Sequence, residues 1–138
     1  MNKVRYKLFC ISICFILISC DPGVFYQKIV QNNSPHEIKI FRYNNTISNS
    51  NKYILQDSFL LHAKTESILS RGGGLSEAPP CNSIVDSFVI KVHSNQNLNV
   101  LTDLNKNNSW IRNSSGSSAK GFNVTCRATI ADSDIVPK

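Results

Sequence analysis

The side chains of this chain that could do chemistry are five cysteines, three histidines and nine carboxylates. A bound metal needs several of them to converge. His36, His62 and His93 lie far apart and form neither an H-x-H nor an H-E-x-x-H spacing, so no metal ligand set and no cofactor is expected. Hydrolysis through a nucleophile needs a Ser or Cys, a His and an orienting acid. Serines are so common here that their co-occurrence with His and Asp carries no information, and there is no G-x-S-x-G elbow. Glycoside cleavage needs two placed carboxylates. Glu37, Glu66, Glu77 and the aspartates lie mostly beside turns or on polar faces, where solvated surface is the simpler reading. No catalytic residue is assigned, and a non-enzymatic protein is expected.

Three further features carry weaker signals. Arg71-Gly72-Gly73-Gly74 could turn backbone N–H groups toward an anion, but it lacks the Lys-Ser/Thr of a phosphate loop and reads as a flexible connection. Asp86 falls on the nominally apolar face of its strand, as a wet strand start or as the partner of a Lys or Arg. Trp110 sits beside Ile111 in an Asn/Ser-rich stretch. It either pins that stretch to the core or, if exposed, stacks on a sugar ring, touches a membrane or anchors a partner protein.

The cysteines divide by position. Lys3, Arg5 and Lys7 form a basic tip, followed by the apolar run Leu8–Ile18, which contains Cys10 and Cys14. As a helix this run reaches about 17 Å, against the roughly 30 Å of a bilayer core, so it has the length of a signal-peptide core rather than of a span. It ends in Leu17-Ile18-Ser19-Cys20. That order of an aliphatic residue, a tolerant position, a small residue and a cysteine resembles the lipobox of bacterial lipoprotein precursors. The resemblance implies that the Cys20 thiol takes diacylglycerol as a thioether, that the chain is cut between Ser19 and Cys20, and that the freed amine of Cys20 takes a further acyl chain such as palmitate. Several chains on one residue matter because a single one holds a protein only marginally. Asp21 resembles an inner-membrane retention signal of enteric bacteria, a rule that other Gram-negative lineages do not follow, so either membrane of the envelope fits.

If 1–19 is a leader, 20–23 is a short lipid-bearing tether and 24–138 is the domain. Two cysteines then remain, Cys81 and Cys126. In an exported protein they pair as a disulfide if the fold brings them together, and otherwise serve as two small buried hydrophobes. The net charge of +6 overstates the domain: without Lys3, Arg5 and Lys7, 12 basic residues face 9 acidic ones. The basic residues are scattered, with no stripe of the kind that nucleic acid demands, so no nucleic-acid partner is expected.

The domain reads as all-β. Val24–Val30, Glu37–Tyr43, Tyr53–Leu61, Thr65–Leu69, Ile84–Val92, Leu98–Leu101 and Phe122–Ile130 are rich in β-formers and separated by turn clusters. In the last of these Phe122, Val124, Cys126, Ala128 and Ile130 alternate with polar residues without a break, the mark of a half-buried strand. No segment holds a 3.6-residue apolar period over three turns. Short strands of this kind predict a small β-sandwich of antiparallel strands, with Asn105–Gly121 as a long mobile loop.

Asn32-Asn33-Ser34-Pro35-His36-Glu37-Ile38-Lys39-Ile40, Asp86-Ser87-Phe88-Val89-Ile90 and Ala128-Thr129-Ile130-Ala131-Asp132-Ser133-Asp134 loosely resemble small Gram-negative lipoproteins of unknown function. That resemblance implies a β-rich domain and assigns no residue a role. The expectation is a lipid-anchored envelope protein whose β domain is structural or binds a protein. The alternatives are an immunity or inhibitor lipoprotein with one tight partner, and a small envelope hydrolase.

Overall fold

A computed structural model describes residues 23–45, 53–75, 80–82, 86–117 and 120–138. These residues are all-β: nine strands and two single 3-10 turns, with no α-helix among them. The strands are β1 (Val24–Asn32), β2 (Ile38–Asn45), β3 (Tyr53–Leu61), β4 (Glu66–Leu75), β5 (Asp86–Val92), β6 (Leu98–Val100), β7 (Ile111–Ser117), β8 (Gly121–Ile130) and β9 (Ile135–Pro137).

They build a four-stranded sheet in the order β4-β1-β8-β7, a three-stranded sheet in the order β3-β2-β5, and the small pair β6-β9. The pairings are antiparallel except one. β1 and β8 run parallel and in unbroken register, from Val24 beside Phe122 to Asn32 beside Ile130. β4 and β7 flank this pair on either edge.

Period-two alternation sets which side chains enter the core. β8 turns Val124, Cys126, Ala128 and Ile130 inward, β1 contributes Val24 and Val30, and β2 contributes Ile38 and Ile40. Phe88 and Val92 of β5, Leu61 of β3 and Leu69 of β4 complete a single cluster drawn from both large sheets. Cys81 joins it and is bonded to Cys126, closing a loop of 45 residues. In the chain-entropy picture such a link removes about 4 kcal/mol of freedom from the unfolded chain.

Two sequence expectations are corrected, and for Trp110 one of the two readings is decided. Part of the polar run 105–121 is the strand β7, whose seven side chains are all exposed. As the edge partner of β8 it needs backbone hydrogen bonds and no buried face, so hydrophobic alternation could not reveal it. Arg71–Gly74 belongs to β4 and is not a flexible connection. A Cβ at Gly72 would stand 2.6 Å from the Tyr26 ring, and one at Gly73 would stand 2.5 Å from the Phe25 ring. The glycines are where β4 makes room for two aromatic rings of its neighbour. Trp110 is in the core at 7% exposure, with its indole N–H donating to the Leu104 carbonyl at 2.9 Å, so it pins its loop and offers no open ring face. β9 also went unforeseen, being only three residues long.

The same loop is tied to β5 by Asn105. Its side-chain oxygen accepts the Phe88 N–H at 2.7 Å and its amide donates to the Phe88 carbonyl at 2.8 Å, in the manner of a neighbouring strand. Asp103 orients this amide, and the Asn105 backbone N–H holds the Asp103 carboxyl below the ordinary carboxylate range.

The sheets meet at one end around Asn32, which is fully buried. Its amide shares two hydrogens among the carbonyls of His36 (2.7 Å), His62 (3.1 Å) and Leu61 (3.4 Å). Its oxygen accepts from the Ser34 N–H (3.0 Å) and hydroxyl (2.7 Å). The Asn32 backbone N–H reaches the Thr65 carbonyl, and the next N–H reaches Ile130 of β8. Removal of this side chain strands several buried polar groups, each costing roughly 1–3 kcal/mol. Asn32→Ala is therefore expected to destabilise the fold by about 3 kcal/mol or more, read from the midpoint of urea unfolding.

A second polar residue lies inside. Lys28 faces the core from β1 at 4% exposure. Burial pushes its ammonium below the usual lysine value, and the charge of Asp86 opposes that shift. Between the lowered folded value and 10.5 the unfolded chain holds a proton that the folded chain has released, so stability must rise with pH across that window. The contribution is complete above 10.5 and is lost as the pH falls through the folded value. Lys28→Met is expected to abolish this alkaline rise, measured as the difference between the unfolding free energies of the parent and the variant against pH.

Candidate ligand-binding groove

The alternation that sends Ile38 and Ile40 inward leaves Lys39 and Phe41 on the outer face of β2. β5 aligns with it so that Lys39 lies beside Lys91 and Phe41 beside Val89. The four side chains form a compact group: the Lys39 ammonium stands 5.3 Å from the centre of the Phe41 ring, and that of Lys91 stands 5.7 Å from it. Each ammonium within about 6 Å of a ring face is steadied by the ring's negative face, which fixes two otherwise mobile cations.

This face opens into a groove of about 500 Å³ bounded on its far side by His93, Gln96, Leu98, Asn99 and Lys138. None of the residues lining it is acidic. The bounding segment is held in place from both ends. The His93 N–H donates to the Glu37 carbonyl, the Lys138 N–H donates to the Asn97 carbonyl, and β6 pairs with β9. An apolar floor of Phe41, Val89 and Leu98 with three lysines around it suits an anionic ligand that also carries apolar surface.

Sequence reasoning missed this site. Lys39, Phe41, Val89 and Lys91 are ordinary outward residues of two strands separated by about fifty positions, and only the register of β2 with β5 brings them together. The available signal was the alternation itself, which placed Lys39 and Phe41 on one face and Val89 and Lys91 on another.

The expected site residues lie elsewhere. Ser19 and Cys20 fall outside the described residues. Cys81 and Cys126 are joined in the core and Trp110 is buried near them in the same cluster. Asp86 is the first residue of β5, in line with its reading as a strand start, and its charge acts on Lys28. The histidines do not converge into a ligand set: among the described residues no group of three or more His, Cys, Asp or Glu could hold a metal ion. His62 Nδ1 meets Glu37 at 2.7 Å on the open surface, and neither residue lines the groove. The other ion pairs are structural. Arg42 grips Asp57 with two hydrogen bonds between β2 and β3. Arg127 reaches Glu66 at 2.5 Å across β1, above Ile29, which is buried although it lies on the outer face.

Among the described residues no helix is long and apolar enough to cross a membrane. No family model, no curated protein and no solved structure matches this chain.

Proposed function

We propose that this chain is a lipid-anchored protein of the Gram-negative cell envelope, cut before Cys20 and acylated there, whose domain is a non-enzymatic β-sandwich that binds an acidic segment of a protein partner. The sandwich reading is supported by the single buried cluster to which both large sheets contribute. The anchor reading is supported by the basic tip, the short apolar run and Leu17-Ile18-Ser19-Cys20 in their order. The binding reading rests on one observation: the groove at Lys39, Phe41 and Lys91 gathers three lysines over an apolar floor with no acidic side chain in its lining.

The topology gives the two ends of the molecule different tasks. β1 starts one residue after Gly23 and runs away from the anchor for nine residues, about 30 Å at the rise of a strand. It ends at Asn32, whose bonds to His36 and Leu61 fix the start of β2 and the end of β3. Lys39, Lys91 and His93 lie at this far end, beside the Ile38–Val92 pair. On an anchored protein the groove would then face away from the lipid, where a partner can reach it. The exposed His62–Glu37 contact lies outside the groove, and the hydrolase alternative draws no support from it.

The anchor is tested by labelling cells that express the full chain or Cys20→Ala with a palmitate analogue and fractionating their membranes. Label and membrane association are expected in the parent and lost in the variant. Equal membrane association without label would sink the lipoprotein reading. The groove is tested with an oligoglutamate peptide carrying a terminal aromatic residue. Lys39→Glu with Lys91→Glu is expected to abolish binding without shifting the thermal midpoint, and binding of the parent is expected to weaken with salt as exposed charges are screened over about 10 Å at 0.1 M. Peptide binding unaffected by the double variant would refute the groove as the site.

A further inference from the structure

The end of the domain opposite the groove carries its own pattern of exposed residues. At the start of the parallel pair, Val24 lies beside Phe122, so Phe25 and Phe122 stand at neighbouring levels of the same sheet end, Phe25 on the outer side of the sheet and Phe122 on the side of Val24. Both are unusually open for phenylalanine, at 62% and 40%. The Phe25 ring lies over Gly73 of β4, where any side chain would collide with it, and the space beside the ring is a shallow cavity of about 410 Å³ that Arg71 also lines. Lys120 is exposed in the turn between β7 and β8, next to Gly121 and Phe122. β2 runs back toward this end and β3 begins there, with Tyr53, Ile54 and Leu55 all exposed.

Open aromatic and aliphatic side chains beside cations are what a membrane–water interface accommodates. Phe and Leu on the apolar face of a membrane-lying segment enter the boundary between head groups and acyl chains, and Lys or Arg close to an anionic surface is attracted to it. The position of this end in the chain identifies the occupant. Only Asp21, Pro22 and Gly23 separate Val24 from Cys20, a reach of at most about 14 Å over four steps of the chain. The geometry points to this end as a bilayer-contact face: Phe25 and Phe122 enter the interfacial layer and Arg71 meets the phosphate of an anionic phospholipid. The inference deepens the anchor reading above and rests on it for the choice of a bilayer over a protein. It makes the domain a seated one, held upright with its groove outward, rather than one swinging on a tether.

The test uses the full chain, produced in a Gram-negative host, purified in detergent and reconstituted into vesicles of phosphatidylglycerol and phosphatidylcholine with brominated acyl chains. A tryptophan is placed at the contact face (Phe25→Trp, with Phe122→Trp as a second probe) or at the far end (Leu60→Trp). The buried Trp110 of the unaltered chain supplies the background. Bromolipid is expected to quench the emission at positions 25 and 122, with a blue shift, and to leave position 60 unchanged. Palmitate labelling of the same preparations separates the two readings. Labelled protein with probes 25 and 122 unquenched, or with all three equally quenched, overturns the contact face while the anchor stands. Absence of both label and quenching overturns both readings. Quenching at 25 and 122 without label leaves the contact face standing and removes the anchor. A blue shift at position 25 that depends on protein concentration and ignores bromolipid would assign the face to a second copy of the chain and overturn the inference.

Discussion

The buried amide of Asn32 is the constraint on which the arrangement of the sheets depends. A side chain with two donor hydrogens and one oxygen serves three carbonyls, a backbone N–H and a hydroxyl, all at the place where β1 stops. Because those partners belong to the start of β2 and to the hairpin between β3 and β4, one residue fixes how the three-stranded sheet is set against the four-stranded one. Water cannot compete there, so any relative slip of the sheets would leave polar groups unpaired in the interior. Lys64, with its backbone in the left-handed region at φ 59°, adds a bond from its ammonium to the Asn33 carbonyl and closes the hairpin over this knot.

A fixed end gives the rest of the molecule a direction. The parallel β1–β8 pair extends from the knot to the first residues of the domain, and the disulfide at Cys126 links the second of these strands to the segment that precedes β5. Lys28 and Asp86 interact across the interior between the same two regions. A buried cation is a costly fastening, since its hydration is replaced by one carboxylate and a few dipoles, and a pair of apolar residues would often serve stability as well or better. The attraction between Lys28 and Asp86 favours the arrangement that keeps these two regions near each other. Asn105 acts similarly at the open edge of β5, where its amide takes the place of a further strand and covers hydrogen-bonding groups that would otherwise invite another chain.

The surface follows the same axis. Cations at the far end are arranged around an aromatic ring and a groove, and at the near end they stand beside exposed rings with little enclosure. On the proposed anchor the groove falls in the hemisphere that soluble partners can reach. On the outer face of the four-stranded sheet, by contrast, the Arg127–Glu66 bridge covers Ile29, and β7 adds short polar side chains. That explains how a strand with no buried residue persists there: it pairs with β8 and presents only Arg, Asn, Ser and Gly after Ile111 to solvent.

The sequence by itself determined the all-β class, seven of the nine strands, and the inward face of β8, because these follow from period-two alternation and turn residues that act over a few positions. It also holds the local string ending at Cys20 that resembles a lipobox and on which the proposed anchor rests. It misjudged Arg71–Gly74 and residues 111–117, since a glycine strand that yields to a neighbour's rings and a polar edge strand look locally like loops. The tertiary structure alone decided that Trp110 is a core anchor, that Asp86 answers Lys28, and that Cys81 reaches Cys126. It alone assembled Lys39, Phe41, Val89 and Lys91 into one face, because cross-strand register depends on how distant segments settle against a shared core, and no local pattern encodes that.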